Sequence, residues 1–386
     1  MASSRARRLW LDVHLYVGLV VGGLFALLGL SGSVLVFYLG VDEALNPATQ
    51  VSRAALDAPS PDAVLARVQT LYPEHDGPWR IEMPLAADDA LRVRYYNPPE
   101  TAGRGFAPLM LSLDPHSLQV TSGRLWGDYA VTWLYDLHYT LLLGKTGTTL
   151  VGIAGLVLLL SLFSGLYLWW PSRARLWAAL RPVLRRGAVR KTYDLHVLSG
   201  AYGFVVLAVL ALTGSVLALP NEAAGVVQAF SPLRPSFRAV ARLPEEAGAA
   251  PIPLAEAVRI ARGRFPGAEL RWIETPGRAG KPIAVRFHQA FEPGRRFPRS
   301  QVWVHPFSGV ILAVRDPLEN SGGDTFMDWM HPLHNGEALG FGGRLLVCAA
   351  GLLPALAFVT GWLRWRHKQA ARKASASRLK AGSSPG

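Results

Sequence analysis

Asp12-Val13-His14 opens an apolar run that continues through Gly18 and closes with Ser31-Gly32-Ser33-Val34-Leu35. The same pattern returns at a constant offset of 182 residues, as Asp194-Leu195-His196, Gly200 and Thr213-Gly214-Ser215-Val216-Leu217. A histidine near the start of a long apolar segment is therefore used twice, which predicts two equivalent helices.

A second ungapped match relates the ends of the two halves. Leu137-His138 and Ser164-Gly165 correspond to Leu333-His334 and Thr360-Gly361, at an offset of 196 residues. The chain is predicted to be a duplication in which each half contributes two histidine-bearing helices.

Four segments carry no charged residue, namely 13–41, 146–172, 195–221 and 345–363. A spanning helix needs about 20 apolar residues to cross about 30 Å of hydrocarbon. All four segments are therefore predicted to be transmembrane helices in a lipid bilayer. The first is longer than the apolar core of a cleaved signal peptide, so it is predicted to remain as an anchor.

The net charge of +13 is concentrated in three segments. Residues 1–12, 173–194 and 364–386 hold 17 basic residues against Asp12 and Asp194, whereas the rest of the chain holds 23 basic and 25 acidic residues. Because Lys and Arg flank the cytoplasmic ends of spanning helices, both termini and the central loop are predicted to be cytoplasmic. This placement excludes nucleic acid as the predicted partner.

Two stretches of ordinary soluble composition lie between the apolar segments, on the extracytoplasmic side. Each is predicted to be a small α+β module with one helix and four strands. The predicted helices are 62–71 and 254–264, and the predicted strands lie near 79–83, 91–96, 109–113, 118–121, 269–275, 282–287, 301–305 and 310–314.

The predicted fold class is a mainly α membrane protein with four transmembrane helices in two parallel repeats and two extracytoplasmic α+β modules. Its predicted parts, in chain order, are a cytoplasmic N-terminus (1–12), helix 1 (13–41), module 1 (42–130), an outer-face segment with helix 2 (131–172), a basic loop (173–193), helix 3 (194–220), module 2 (221–326), an outer-face segment with helix 4 (327–365) and a basic tail (366–386).

These modules, the turn Val304-His305-Pro306-Phe307-Ser308-Gly309-Val310 and the Ser-Gly-Ser-Val-Leu and Thr-Gly-Ser-Val-Leu helix ends resemble the PepSY-associated transmembrane family, over about residues 8–366. Members of that family include inner-membrane ferric-siderophore reductases that carry haem b. The resemblance implies an oxidoreductase of the bacterial inner membrane with periplasmic modules and a periplasmic ferric-siderophore substrate. Its electron donor, cytoplasmic or membrane-bound, is unidentified, because nothing in these 386 residues resembles a flavin or nicotinamide site.

A histidine inside a spanning helix is costly and indicates a functional site. Imidazole supplies both axial ligands of many haem irons, and Cys348, the only cysteine, provides no alternative attachment. Parallel repeats make His14 and His196 mates at the cytoplasmic end and His138 and His334 mates at the outer end. We therefore predict two bis-His haems b, with the haem iron as the metal and no catalytic residue assigned.

His331 lies three residues before His334, hence on nearly the same helix face, and is kept as an alternative ligand or substrate-side contact. Its repeat mate is Tyr135. Four glycines, Gly18, Gly32, Gly200 and Gly214, are predicted either to leave room for a flat ring on the face of His14 and His196 or simply to let helices pack. The candidate propionate partners are Arg7, Arg8, Arg190 and Lys191 inside, and Arg124, Lys145 and Arg344 outside.

The outer histidines raise a problem of length. His138 precedes Trp169 by 31 residues, which is about 46 Å of straight helix at about 1.5 Å per residue. Helix breaks are therefore predicted at Gly144-Lys145-Thr146-Gly147 and at Gly340-Phe341-Gly342-Gly343.

The remaining histidines, His75, His116, His288, His305 and His367, show no metal-ligand spacing and are predicted to be exposed, and the tail beyond Gln369 is predicted to be solvated. Two other functions stay open from the residues alone. The modules are also consistent with a membrane-anchored binding or sensor protein, and the intramembrane histidines with a metal transporter.

Overall fold

The computed structural model describes residues 4–47, 51, 59–86, 89–181, 187–234, 250–277 and 281–382. The chain forms two compact units. The helical unit comprises Met1–Val36, Leu137–Pro220 and Leu333–Gly386, and the sheet unit comprises Phe37–Asp136 and Asn221–Pro332. Each unit takes segments from both halves of the sequence.

The helices are, in chain order, α1 (Ser4–Val20), α2 (Gly22–Leu35), α3 (Tyr38–Leu45), α4 (Pro61–Leu71), α5 (Ala130–Thr140), α6 (Gly144–Trp169), α7 (Leu176–Ala179), α8 (Ala188–Ala218), α9 (Pro220–Gln228), α10 (Leu254–Arg262), α11 (Gly322–His334), α12 (Gly340–Ala350) and α13 (Leu353–Gly382). The strands are β1 (Trp79–Glu82), β2 (Leu91–Tyr95), β3 (Leu109–Leu113), β4 (Val120–Leu125), β5 (Glu269–Glu274), β6 (Ile283–His288), β7 (Ser300–Val304) and β8 (Ile311–Arg315).

Among the described residues, three stretches of helix are long and apolar enough to cross a membrane: Gly144–Trp169, Ala188–Ala218 and Glu337–Ser377. Helices α1 and α2 pass the same test only together, and they meet at an angle of 58°. The helical unit therefore contains three membrane-spanning candidates, or four if the bent pair forms one span.

The single helix predicted over 13–41 is instead three helices, α1, α2 and α3. The first break falls at Val21, beside Gly22 and Gly23, which favour a kink because glycine holds a helix weakly. A Cβ on Gly22 lies 2.6 Å from the ring of Phe358 on α13, so this close approach requires glycine.

The breaks predicted after His138 and His334 are confirmed, slightly earlier than expected. Helix α5 ends at Thr140, and Leu141 and Leu142 adopt left-handed φ values of 51° and 59° before α6 begins. After α11, Gly336 and Gly340 supply the corresponding positive φ. The basic tail is exposed over residues 371–377, as predicted. Helix α13 continues through the tail to residue 382, as its many Ala, Lys and Arg residues favour.

The predicted strands and helices of the two modules are present, but the modules are not separate sheets. All eight strands form one antiparallel sheet in the order β4-β3-β2-β1-β5-β6-β7-β8. The halves join where β1 pairs with β5, in the register Arg80↔Glu274, Ile81↔Ile273 and Glu82↔Trp272. Main-chain hydrogen bonds therefore cross from one half of the sequence to the other.

One face of this sheet forms the core of the sheet unit together with α4 and α10. Ile81 and Ile273 are fully buried at the joint, and Val64 of α4 and Ala257 of α10 are buried in the same cluster. The Asp62 carboxylate of α4 accepts hydrogen bonds from the first backbone N–H groups of α10, at 2.6 and 2.9 Å. These contacts tie the two helices into one core.

Of the five histidines predicted to be exposed, His116 is exposed, His288, His305 and His367 are partly buried, and His75 is buried. It is only 5% exposed, because the rings of Tyr72, Trp79 and Tyr95 surround it, and the Glu100 carboxylate lies 3.3 Å from its Nε2. Tyr72 and Trp79 are close to His75 in the sequence, whereas Tyr95 and Glu100 belong to later segments.

The opposite face of the sheet carries charged side chains, as strand alternation requires. Arg80, Glu82, Arg92 and Arg94 alternate with core residues along β1 and β2. Arg80 pairs across the joint with Glu274 at 2.6 Å. This charged face is separate from the apolar core that holds the sheet unit together.

Candidate functional site

The helical unit brings the four predicted histidines together in two pairs. His14 of α1 faces His196 of α8, with ring centroids 6.1 Å apart and ring planes at 76°. His138, near the end of α5, faces His334, the last residue of α11, at 6.2 Å and 46°. The pairing is the one predicted from the repeat.

A hydrogen-bond acceptor lies beside the Nδ1 atom of each inner imidazole and determines its tautomer. The Nδ1 atom of His14 lies 3.1 Å from the carbonyl oxygen of Ser161, and that of His196 lies 3.0 Å from the carbonyl oxygen of Ala357. Because a carbonyl oxygen can only accept, both Nδ1 atoms carry the hydrogen. Nε2 is then the unprotonated nitrogen, which is the form that binds a metal.

The outer pair reaches the same tautomer through hydroxyl groups. Nδ1 of His138 lies 2.9 Å from Ser31 Oγ, whose own hydrogen goes to the Leu27 carbonyl at 2.7 Å. Nδ1 of His334 lies 3.0 Å from Thr213 Oγ1, which likewise donates within its helix. Each hydroxyl therefore accepts the Nδ1 hydrogen, and each Nε2 is again left unprotonated.

Each histidine packs against a glycine on another helix. A Cβ built on Gly165 lies 2.8 Å from Cε1 of His14, and one on Gly32 lies 3.0 Å from Cε1 of His138. Gly361 and Gly214 meet His196 and His334 in the same way, at 3.1 and 3.0 Å. An imidazole thus lies directly on helix backbone at four places.

These contacts give a role to dipeptides that the sequence analysis used only as markers of the repeat. A Ser-Gly or Thr-Gly dipeptide occurs at 31–32, 164–165, 213–214 and 360–361, once for each histidine. The hydroxyl lies at hydrogen-bond distance from the imidazole Nδ1, between 2.9 and 3.3 Å, and the glycine admits the ring. A motif repeated four times beside four histidines points to a shared role.

Gly32 and Gly214, predicted to leave room on the face of His14 and His196, leave room for the rings of His138 and His334. The two glycines lie 18 residues further along the chain, about 27 Å of helix, and contact the other histidine pair. Gly18 and Gly200 differ from them, because nothing lies within 4 Å of a Cβ built on either residue. Open space is therefore present one helical turn from His14 and His196.

The separation within each pair fits two imidazoles bound on opposite sides of one metal. A bond from metal to imidazole nitrogen is about 2.0–2.1 Å and the ring centre lies about 1.1 Å further on, so the ring centres are about 6 Å apart. Among the described residues, no three His, Cys, Asp or Glu side chains form a group that could hold a metal ion. A bare ion would have two protein ligands here, whereas a haem iron has four nitrogens from its own ring.

His331 is placed elsewhere, in the sheet unit. Its ring packs on Phe297 at 4.6 Å and 75°. Its repeat mate Tyr135 also packs on an aromatic ring, that of Trp126, at 5.2 Å. Each of the two equivalent positions therefore packs on an aromatic ring, and neither belongs to a histidine pair.

The predicted propionate partners are already engaged where the structure shows a contact. Arg7 donates to the Leu168 carbonyl, and Arg344 to the Val36 carbonyl. Arg190 pairs with Asp194 at 3.0 Å, which gives that buried carboxylate a structural role, and Arg124 pairs with Asp42 in the sheet unit.

One cation beside the inner pair escaped the sequence reasoning. Arg364 of α13 lies over the ring of Tyr193, 4.6 Å from its centre, and follows Gly361, which contacts His196, by about one helical turn. No ion pair joins it to a carboxylate among the described residues, so its charge is uncompensated there. A half-buried cation of this kind favours an anionic group beside it.

A comparison with known protein families identifies the family of this chain. The model of the PepSY-associated TM region matches residues 11–368, a stretch that includes all four paired histidines. The chain belongs to the PepSY-associated transmembrane family. The resemblance inferred from the sequence is therefore confirmed, and this PepSY-associated protein is membrane-associated. No curated protein matches it.

Proposed function

We propose that this PepSY-associated protein is a di-haem electron-transfer protein of the bacterial inner membrane that reduces a periplasmic ferric chelate. The observation that carries the proposal is the pair of bis-histidine arrangements, each at the ring separation expected across one metal. The family resemblance supports the ferric-siderophore substrate, and the charge bias supports cytoplasmic termini.

The chain's own residues determine the properties of such a site. Nδ1–H donation to a carbonyl or hydroxyl oxygen holds each ring in one orientation and raises the basicity of Nε2. With two imidazoles on one iron, a b-type haem exchanges single electrons and has no open position for oxygen. Reduction of Fe(III) to Fe(II) weakens its binding to hard oxygen ligands, which releases iron from a chelate.

The two pairs occupy two levels of the helical unit. Helix α8 carries His196 near its start, and its Gly214 contacts His334 of the other pair. The 18 residues between them correspond to about 27 Å along α8. This spacing is compatible with a path that enters at the level of His14 and leaves at the level of His138.

The test is the absorption spectrum of purified single-histidine variants. His14→Ala and His196→Ala are expected to lose the same haem, and His138→Ala and His334→Ala the other. His116→Ala is the matched control, because His116 is exposed in a turn of the sheet unit. Loss of both haems in every variant contradicts the pairing.

The sensor and transporter alternatives make opposite predictions. An anchored sensor retains its activity when all four histidines become alanine. A transporter moves metal into vesicles without a reductant. Ferric citrate reduction by reduced protein, lost in the histidine variants, distinguishes the proposed function from both.

A further inference from the structure

The charged face of the sheet unit contains a cavity of about 70 Å³ whose lining is unusually rich in arginine. Space of this size holds a few water molecules or one small polar group. The lining arginines are Arg92, Arg94, Arg124, Arg271 and Arg296. Asp42 and Glu82 are the acidic residues that line the same cavity.

Carboxylates pair with four of these arginines, among them Arg92 with Glu43 at 2.5 Å and Arg271 with Glu269 at 2.9 Å. Arg124 forms a two-bond pair with Asp42, at 2.9 and 2.6 Å. Arg94 reaches Glu82 through one terminal nitrogen at 3.3 Å. Since a guanidinium has five N–H donors in a fixed plane, these pairs leave donors available to another acceptor.

Three buried N–H groups on lining residues have no acceptor in the described part of the chain. They are Nε of Arg94, Nε of Arg271 and Nε1 of Trp272. The side chain of Arg271 is 6% exposed and Trp272 is 4% exposed. Buried donors are nearly always paired in folded proteins, and acceptors bound at this cavity would account for three unpaired donors on its lining residues.

Aromatic rings hold the cations of this cavity in place. Arg296 lies 3.6 Å from the centre of the Tyr38 ring, and Arg124 lies 3.9 Å from that of Tyr129. Burial raises the pKa of Tyr129 to about 12, so its hydroxyl remains protonated at neutral pH. The cavity therefore presents cations and donors that are already oriented.

We propose that this cavity is a binding site for a carboxylate or phosphate group of a soluble anionic ligand. The negative oxygens accept from the arginines and replace the missing partners of the buried N–H groups. In the reductase role, which rests on the proposed function, the ligand is an anionic ferric chelate. The anion site itself does not depend on haem.

Calorimetry on the full-length protein in neutral detergent tests the site, with citrate and inorganic phosphate as separate probes. Citrate binding alone, phosphate binding alone, or both, support the site and identify its preferred anion. Trimethyl citrate is the uncharged control and is expected not to bind. Binding of neither anion refutes the proposal, whether or not the protein contains haem.

A matched pair of variants separates binding from folding. Arg94→Gln and Glu82→Gln both break the Arg94–Glu82 ion pair, and Glu82→Gln also loses a longer contact with Arg80 at 3.9 Å. A purely structural effect therefore weakens binding in both variants. Arg94→Gln is expected to weaken the preferred anion by about tenfold or more, the usual size for a charged hydrogen bond. Glu82→Gln is expected to strengthen it about threefold, because a competing negative charge is removed.

Equal weakening by the two variants refutes the site. A colourless protein that binds citrate refutes the haem proposal and leaves the anion site standing. A red, haem-containing protein that binds neither anion refutes the anion site and leaves the haem proposal standing.

Discussion

Replacing Gly165 by Ala is the sharpest perturbation of the inner histidine pair. The added Cβ lies 2.8 Å from Cε1 of His14, whereas carbon atoms in contact normally lie about 3.5–4.0 Å apart. The imidazole therefore has to move by about 0.7 Å, beyond the tolerance of about 0.5 Å for a preorganised site. Overpacking of this kind costs about 1–3 kcal/mol.

Gly18→Ala is the control, because its Cβ meets nothing within 4 Å. Alanine holds a helix better than glycine by about 1 kcal/mol, so this variant is expected to be unchanged or slightly more stable. The assays are haem content per polypeptide and thermal unfolding in detergent. Gly165→Ala is expected to lose one haem and to unfold at a lower temperature. Full haem content with an unaltered spectrum and no loss of stability in Gly165→Ala refutes the packing argument.

Three further predictions concern charge and the shared sheet. Arg364→Gln removes a cation beside the inner histidine pair. Because positive charge favours the reduced form, this variant is expected to lower one haem midpoint potential by on the order of 50 mV. Unchanged potentials in a redox titration contradict this prediction. Ile273→Ala empties a fully buried position at the β1–β5 joint and is expected to lower the free energy of unfolding by about 2–5 kcal/mol. Amide hydrogen exchange should then accelerate in both half-sheets. Acceleration in one half-sheet alone argues against a shared core. Burial disfavours the charged form of Glu274, but Arg80 and Arg286 outweigh it and hold its pKa below the ordinary 4.5. The stabilisation is therefore complete above about pH 4.5 and is lost as the pH falls through the lower folded-state pKa, so exchange in β5 should speed up only below that pH.

The local features of this fold were predictable because their causes are local. Alternating apolar residues predicted β1 to β8 to within a few residues, and glycine with left-handed backbone marked the breaks before α6 and α12. The histidine pairing followed from two repeat offsets. These signals depend on residues that are close together in the chain.

The remaining features depend on contacts between distant segments. Strands β1 and β5 are separated by nearly half the chain, and nothing in their own alternation specifies that they pair. At the 58° bend, Gly22 packs against Phe358 of α13, and His75 packs against Tyr95 of β2. The arginine-rich cavity was equally hidden, because its residues are single alternating positions on several strands.

The most direct measurement is the haem content of the purified protein, with spectra of its oxidised and reduced forms. Two histidine pairs at 6.1 and 6.2 Å predict two low-spin haems per polypeptide that are reversibly reduced. A protein purified from haem-replete cells that binds no haem contradicts the central proposal.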